Sequence, residues 1–233
     1  MGKVIYPRKG EVHTAPVTLA GNFADATWSQ IIEACETNTV PDTWVVGDQK
    51  AMTINGKDYP IDIIGKNHDT YTAGGTAPLT FQMHDCYGTA YQMNTGNTNV
   101  GGWTSCAMRS THLPTILALM PSEVQAGIKE VNKLTSAGNL SSTINTTTDK
   151  LFLLSEIEIF GSVTQSKSGE GSQYDYYSAG NTTVKNLNGS ASIWWERSPY
   201  GYVNQYFCRV VSGGTSNANL ASELYGTAFA FCF

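Results

Sequence analysis

The chain of 233 residues has little charge and no long apolar run. Lys, Arg, Asp and Glu together make up 14% of its residues, and the formal net charge is −5. A nucleic-acid surface needs clustered Lys and Arg to neutralise phosphates, so this composition argues against a nucleic-acid partner. No stretch approaches the roughly 20 apolar residues of a membrane span, so we expect no span.

The first residues lack the features of an export signal. Their positive charges are not followed by the apolar run of about 7–15 residues that a secretory signal requires. We therefore expect synthesis in the cytoplasm, followed by association with a virion or a bacterial surface. Residues 1–20 contain Pro7 and Pro16 and have no strong period. They predict an extended arm that contacts the domain, another copy of the chain or a phage-tail partner.

Motifs for common cofactors and metals are also missing. The five cysteines are odd in number and include no CxxC spacing, which predicts buried free thiols rather than disulfides or zinc ligands. No Walker loop, dinucleotide-binding GxGxxG or HExxH occurs. His84-Asp85-Cys86 places a base, an acid and a thiol side by side, but adjacent strand residues point to opposite faces. We predict no catalytic residue, no metal and no cofactor.

The residues that are present favour a loop-rich α+β domain. The chain has 23 glycines and 11% aromatic residues, and its length suits one domain, which we place at 21–233. Asp25 or Thr27 can cap a helix through about Cys35, and Asn55-Gly56 between two apolar runs predicts a β-hairpin. Strands are also predicted at 44–46 and 81–84.

Local patterns in the middle of the chain are weaker. Residues 103–120 are apolar enough for a helix interrupted at Pro114, and Pro121 can begin a second helix running to about Leu134. The Ser/Thr/Asn tract 135–148 predicts a loop. Residues 151–160 predict a strand pair or one bent strand, and 161–192 a long functional or packed surface loop.

The C-terminal forty residues combine two apolar ends with a polar, Tyr-rich middle. The run IWWERSP at 193–199 precedes the middle, and AFAFCF at 228–233 follows it. Tyr, Ser, Gly, Asn and Arg dominate recognition loops, because they give rigid contact area and adaptable hydrogen bonds. This arrangement predicts a recognition surface held between two buried segments.

Several runs in the same order resemble one known family. They are WVVGD at 44–48, NTNVGGW at 97–103, WWERSP at 194–199, Phe207-Cys208, Ser212-Gly213-Gly214 and the terminal AFAFCF. Together they resemble a C-type-lectin-like domain family of unassigned function from gut Firmicutes and their phages. Many of its members are similar to the variable proteins of diversity-generating retroelements, in which an error-prone reverse transcriptase rewrites adenines in the 3′ end of the target gene.

The resemblance implies an α+β, C-type-lectin-like (formylglycine-generating-enzyme-like) fold with two main helices and short antiparallel sheets. It implies a variable region at about 194–233 and scaffold roles for Trp194, Trp195, Arg197, Phe207 and Cys208. Adenine-directed mutation of an AAC or AAT codon can produce codons for Tyr, Ser, Gly, Val, Arg and Leu, but not for Gln or Glu. Gln205 and Glu223 must therefore be fixed, or come from other codons. The expected ligand-binding positions, which should converge on one exposed face, are Tyr200, Gly201, Tyr202, Val203, Asn204, Tyr206, Arg209, Val211, Gly213, Asn217, Asn219, Leu220, Ser222, Leu224 and Tyr225.

The function implied is non-enzymatic binding of a variable protein or glycan target on a bacterial surface, by a phage receptor-binding protein, a tail adhesin or a cell-surface binder. One alternative is an enzyme of the formylglycine-generating type, which would need Cys208 and Cys232 within bonding reach in an accessible pocket. Another is a fixed structural protein of a phage particle, which would show no variation between residues 200 and 225.

Overall fold

A computed structural model describes residues 21–233, and the predicted arm at 1–20 lies outside them. The described chain is an α+β domain of short helices and antiparallel strands. Its helices are α1 Trp28–Glu36, α2 Gly102–Ser105, α3 Leu113–Leu117, α4 Ser122–Gly127, α5 Glu156–Phe160 and α6 Asp175–Ser178. Its strands are β1 Gln49–Ile54, β2 Lys57–Lys66, β3 Leu79–Met83, β4 Val131–Ser136, β5 Ile144–Asp149, β6 Lys185–Leu187, β7 Ser190–Ser192, β8 Trp194–Pro199, β9 Tyr206–Val210, β10 Ser216–Leu220 and β11 Ala230–Cys232.

The larger sheet joins the two ends of the domain. Its strand order is β1-β2-β3-β11, so the C-terminal strand pairs with a strand from the first half of the chain. The β1–β2 hairpin turns at Asn55 and Gly56, whose φ angles of 50° and 76° suit the Asn-Gly turn predicted from the sequence. Helix α1 begins as predicted, because the Thr27 side chain accepts a hydrogen bond from the Gln30 N–H in a capping box.

A second, three-stranded sheet carries the C-terminal region. Its order is β10-β9-β8, which leaves β10 as an edge strand. Two hairpins, β4–β5 and β6–β7, complete the strands of the described chain. The sequence predicted two main helices, but only α1, with nine residues, exceeds six residues among helices at 21–233. None of these helices is long and apolar enough to cross a membrane.

Two local predictions before residue 121 are wrong. Residues 44–46 form a turn rather than a strand, because the Asp48 carboxylate accepts from the Val45 N–H. The helical stretch after Trp103 breaks at Cys106, while Pro114 lies in the first turn of α3, where its missing N–H costs little. A π-helical turn, Met108–His112, precedes α3.

Four further predictions are wrong between residues 121 and 192. Helix α4 ends at Gly127, and the predicted helix end and loop form the β4–β5 hairpin instead. β-branched residues such as Thr146–Thr148 fit a half-buried strand, which the loop assignment overlooked. Residues 156–160 form helix α5 through a capping box between Ser155 and Glu158. The long segment 161–192 contains α6, β6 and β7.

Candidate recognition surface

Strand β8 forms the buried floor beneath the C-terminal region. All six of its residues are buried. The Trp194 indole N–H donates to the Thr183 carbonyl at 3.0 Å, and that of Trp195 donates to the Tyr91 carbonyl at 2.8 Å. Both rings have no solvent exposure, as expected of scaffold residues. Large buried aromatics with paired N–H groups fix this strand in the domain core.

Arg197 ties β8 to three other parts of the chain. Its guanidinium donates to the carbonyls of Leu134 at 3.0 Å, Leu153 at 3.0 Å and Glu170 at 2.7 Å. It also forms an ion pair with Glu158, one contact of which measures 2.8 Å. Arg197 therefore holds the start of the C-terminal region through backbone carbonyls.

The Arg197 ion pair belongs to a buried charge network. Lys133 Nζ lies 2.8 Å from Glu158 Oε1 and 2.7 Å from Asp69 Oδ1. Burial alone would raise the pKa of Asp69, but the Lys133 ammonium and hydrogen bonds lower it to about 2. Burial likewise opposes ionisation of Glu158, yet Arg197 and Lys133 hold its pKa below the usual range. Each charge in the network is therefore matched by an opposite one.

Strand β9 and the C-terminal end complete the buried frame. Phe207, Cys208 and Val210 have no solvent exposure. The side chains of residues 229–233 are also fully buried, and Phe231 stacks on Phe81 of β3 with ring centroids 5.3 Å apart. The recognition segment, defined here as residues 200–225, thus lies between two segments packed into the core.

Most of the predicted ligand-binding positions reach solvent. Of the fifteen, only Gly201 is buried, and the other fourteen are half-buried or exposed. Tyr202 and Leu224 are 64% and 62% exposed. Gly201 differs because its N–H donates to the Gln165 carbonyl, and an added Cβ would lie 3.1 Å from that oxygen. Gly201 is therefore a packing position, and its assignment to the exposed set is wrong.

The exposed positions do not share one face of the sheet. Strand pairing places Arg209 opposite Asn217 and Tyr206 opposite Leu220. Because successive side chains alternate between faces, these two pairs lie on opposite sides. The predicted convergence on a single face is wrong at this edge. Both sides reach solvent, since every residue of β10 is half-buried or exposed.

One side carries a single tyrosine held by polar neighbours, and the other carries three tyrosines in contact. On one side, the Arg209 guanidinium lies 5.0 Å from the Tyr225 ring centroid, and the Asn219 amide donates to the Tyr225 hydroxyl at 2.6 Å. On the other, the Tyr200 ring lies 5.4 Å from Tyr202 and 5.9 Å from Tyr206. These contacts hold large amphipathic rings at the surface, which limits the entropy lost on binding.

Asn99, which the sequence assigned no role in the site, fixes the backbone of residues 200–206. It is fully buried, and its amide nitrogen donates to the carbonyls of Tyr200, Val203 and Tyr206 at 3.2, 3.2 and 2.8 Å. The loop conformation therefore rests on backbone groups rather than on the loop's own side chains. The signals in the sequence were the run NTNVGGW at 97–103, which carries part of the family resemblance, and its Gly101-Gly102 pair, whose positive φ angles mark a tight turn.

The carboxyl group of Glu196 on β8 is buried without a hydrogen-bond partner among the described residues. Neither oxygen of Glu196 makes a hydrogen bond within residues 21–233. Burial, together with the neighbouring charges of Glu156 and Glu170, raises its pKa well above the usual range. By contrast, Glu156 accepts hydrogen bonds from Thr164 and Ser166. The folded protein therefore favours the neutral form of Glu196.

The five cysteines are buried free thiols. Cys208 lies in β9 and Cys232 in β11, which belong to different sheets, and both are fully buried. Burial raises the pKa of each thiol well above its usual range, so neither is an activated nucleophile. The accessible thiol pair that the enzyme alternative needs is not formed. Within residues 21–233, no three His, Cys, Asp or Glu side chains are grouped to hold a metal ion.

The chain matches one known protein family over most of its length. Residues 79–232 match the family described as domain of unknown function DUF6273, and the match includes β8, β9 and β10. Neither curated proteins nor solved structures give a match. Because the matched residues make up more than half of the chain, the protein belongs to the DUF6273 family.

Proposed function

We propose that this protein is a non-enzymatic ligand-binding protein with a C-type-lectin-like fold, whose C-terminal surface is diversified by retroelement mutagenesis. The observation that carries the proposal is the contrast in burial. Fourteen of the fifteen predicted variable positions reach solvent, while the flanking β8 and residues 228–233 are buried. Such positions can change without removing core contacts.

The mechanism of binding is surface complementarity. Tyrosine rings supply contact area with few rotatable bonds, and Asn, Ser and Arg side chains supply hydrogen bonds. Arg197 and Asn99 hold the backbone through carbonyl groups, which every residue type provides. The same framework therefore supports many different side-chain combinations.

The setting we propose is a phage receptor-binding protein or tail adhesin, or a binder on a bacterial cell surface. Its target is a variable protein or glycan of a bacterial surface. The support is the resemblance of WWERSP and AFAFCF to the retroelement-associated family, together with the Tyr-rich recognition segment, whose two charged residues are Arg209 and Glu223.

The test is the DNA sequence around the gene. We expect a near-identical repeat downstream, beside a reverse-transcriptase gene, that differs where the repeat carries adenines. Those differences should fall in codons of exposed positions such as Tyr202, Asn217 and Leu224. Codons for Phe207, Cys208 and Val210 serve as the internal control and should be unchanged. A repeat whose adenines coincide with the β8 codons, or the absence of any repeat, would contradict the proposal.

A further inference from the structure

Arg209 differs from the other two arginines of the described chain because its guanidinium has no acceptor. Arg109 and Arg197 each form an ion pair with a buried carboxylate. The Arg209 guanidinium forms no ion pair and no hydrogen bond with any described residue. Among its nitrogens only Nε is buried, so the two terminal nitrogens reach solvent. The donors of these two nitrogens are therefore free to bind a ligand.

The Tyr225 ring positions the Arg209 guanidinium. The guanidinium carbon lies 5.0 Å from the centroid of this ring. The ring is itself held, because its centroid lies 4.9 Å from that of Trp195 and its hydroxyl accepts from the Asn219 amide at 2.6 Å. A cation–π contact attracts the guanidinium without occupying its N–H groups in a hydrogen bond. The contact thus fixes the position of the guanidinium and leaves its donors available.

The asparagines of β10 beside Arg209 use their side-chain oxygens within their own strand. Strand register places Asn217 directly opposite Arg209, on the same face of the sheet. The Asn217 side-chain oxygen accepts from the Ala218 N–H at 2.7 Å, and that of Asn219 accepts from the Leu220 N–H at 2.9 Å. The Asn217 amide nitrogen has no partner within the described chain. What Asn217 offers a ligand is therefore a donor, like the guanidinium opposite it.

A second unpaired cation lies on the opposite side of the recognition segment. Lys167 Nζ lies 5.3 Å from the ring centroid of Tyr202, one of the three tyrosines on that side. This ammonium has no ion pair and no hydrogen bond with any residue that the structure describes. Each side of the segment therefore presents a positive charge without a counter-ion, although the chain as a whole has a net charge of −5.

We propose that Arg209 binds a carboxylate of the target, and that this carboxylate belongs to an aspartate or glutamate side chain of a protein. The inference rests on the proposed function and narrows its target from a protein or a glycan to an acidic protein surface. An ionised carboxylate only accepts hydrogen bonds, and its two oxygens match the donors of a guanidinium in a bidentate pair. The unpaired donors at Arg209 and Asn217 are the complement of such a group.

A protein carboxylate fits this side of the sheet better than the carboxylate of an acidic sugar. Sugar hydroxyls need acceptors as well as donors, whereas Asn217 and Asn219 use their oxygens within β10. The Tyr225 ring, which a sugar would need as a packing surface, already contacts both Arg209 and Trp195. An aspartate or glutamate side chain brings a carboxylate without additional hydroxyls.

The test uses a phage-displayed library of random peptides as the probe, with an array of neutral and acidic glycans in parallel. We expect the protein to enrich peptides that contain Asp or Glu, and to bind no glycan on the array. The affinity of one synthesised enriched peptide should fall about tenfold or more in Arg209→Gln, because a hydrogen-bonded charge pair is lost. Lys50→Gln is the matched control and should leave the affinity unchanged. It removes the same charge beside an aromatic ring, 5.8 Å from that of Trp28, but in β1 of the other sheet.

A change in the peptide identifies the partner of Arg209. Replacing the acidic residue of the peptide by its amide should weaken binding to the unsubstituted protein to a similar extent, and should have little further effect on Arg209→Gln. Arg209→Lys keeps the charge but lacks the planar fork, so it should recover only part of the affinity. Because Arg209 makes no side-chain hydrogen bond in the described chain, Arg209→Gln should melt within about 4 °C of the unsubstituted protein.

The outcomes separate this inference from the proposed function. Unchanged peptide affinity in Arg209→Gln, together with loss of affinity in Tyr202→Ala, would overturn the inference and leave the proposed function standing. Unchanged affinity in both variants would overturn both, because neither side of the recognition segment would then contact the peptide. Enrichment of peptides without acidic residues would overturn the inference, and binding of acidic glycans without enrichment of acidic peptides would overturn the choice of a protein carboxylate.

Discussion

Strands β8 and β10 lie in one sheet with only β9 between them, yet they differ completely in burial. All six residues of β8 are buried, and no residue of β10 is. Strand β9 is intermediate, with Phe207, Cys208 and Val210 buried and its other two residues half-buried. Within two strand spacings, the sheet passes from the domain core to a solvent-facing edge. Substitutions in β8 should therefore affect stability, and substitutions at the β10 edge should affect mainly the surface.

Two adjacent residues of β8 show that burial alone does not determine what a charged group does. Arg197 is fully buried with an ion pair and several carbonyl acceptors. Glu196 is equally buried, but its carboxyl oxygens have no hydrogen-bond partner among the described residues. The first group stabilises the fold in its charged form, whereas the second is tolerated only in its neutral form.

The largest expected effect comes from removing the buried arginine. Arg197→Met removes an ion-pair partner from Glu158 and the guanidinium donor from the carbonyls of Leu134, Leu153 and Glu170, of which Glu170 keeps the Ser155 hydroxyl as a donor. Breaking a buried ion pair from one side typically costs about 3–5 kcal/mol, so we expect a loss of that size in the free energy of unfolding. Urea denaturation followed by tryptophan fluorescence measures it.

Arg209→Met is the matched control for that experiment. Arg209 lies in the neighbouring strand, has no ion pair within residues 21–233, and contacts the Tyr225 ring. Its loss should cost about 0.5–1 kcal/mol. If Arg197→Met does not fold, its soluble yield relative to Arg209→Met gives the same comparison. Equal stabilities for the two variants would contradict the division between core and surface.

The ionisation of Glu196 with rising pH should have an effect on stability of intermediate size. Because the pKa of this carboxyl is raised in the folded protein, its contribution to stability is greatest below the unfolded-state pKa of about 4.3. That contribution is lost as pH rises towards the folded-state pKa. Glu196→Gln cannot ionise, so it should be more stable than the unsubstituted protein at pH 8, by on the order of 1 kcal/mol.

The pH experiment needs a difference between two proteins, because other groups titrate in the opposite direction. Asp69 and Glu158 have lowered pKa values, and their stabilising contribution is lost as pH falls. Subtracting the unfolding free energies of Glu196→Gln and the unsubstituted protein at each pH isolates Glu196. If this difference stays constant from pH 4 to pH 8, ionisation of Glu196 does not affect the free energy of unfolding, and the prediction is wrong.

Short-range signals in the sequence predicted several elements of the fold. Thr27, one of two candidate caps with Asp25, marks the start of α1, and Asn55-Gly56 marks the β1–β2 hairpin, because capping and tight turns depend on residues a few positions apart. The burial of Trp194 and Trp195 followed from apolar density alone. The capping box at Ser155 and Glu158 was present in the sequence, but the apolar alternation after it favoured a strand.

The arrangement of the site depended on contacts that local patterns do not contain. Asn99 and Tyr206 are distant in sequence, so no local period relates the amide to the carbonyl that it bonds. The pairing of Arg209 with Asn217 is set by the β9–β10 register, which determines the face on which each side chain lies. The sequence therefore predicted which positions are accessible more successfully than how they are grouped in space.

The smallest loss of stability is expected from substitutions at the exposed positions of the recognition segment. A quadruple variant, Tyr202→Ser, Val203→Asn, Asn217→Asp and Leu224→Ser, changes four exposed side chains of the recognition segment. Exposed substitutions usually change the free energy of unfolding by no more than about 0.5 kcal/mol each. The summed loss should therefore stay below about 2 kcal/mol, even though Tyr202 gives up its contact with Tyr200. The single variant Phe207→Ser is the control, because it removes a fully buried ring, and it should lower the melting temperature further than the four exposed changes combined. The reverse order would show that residues 200–225 support the core, and a surface with that role could not change its side chains freely.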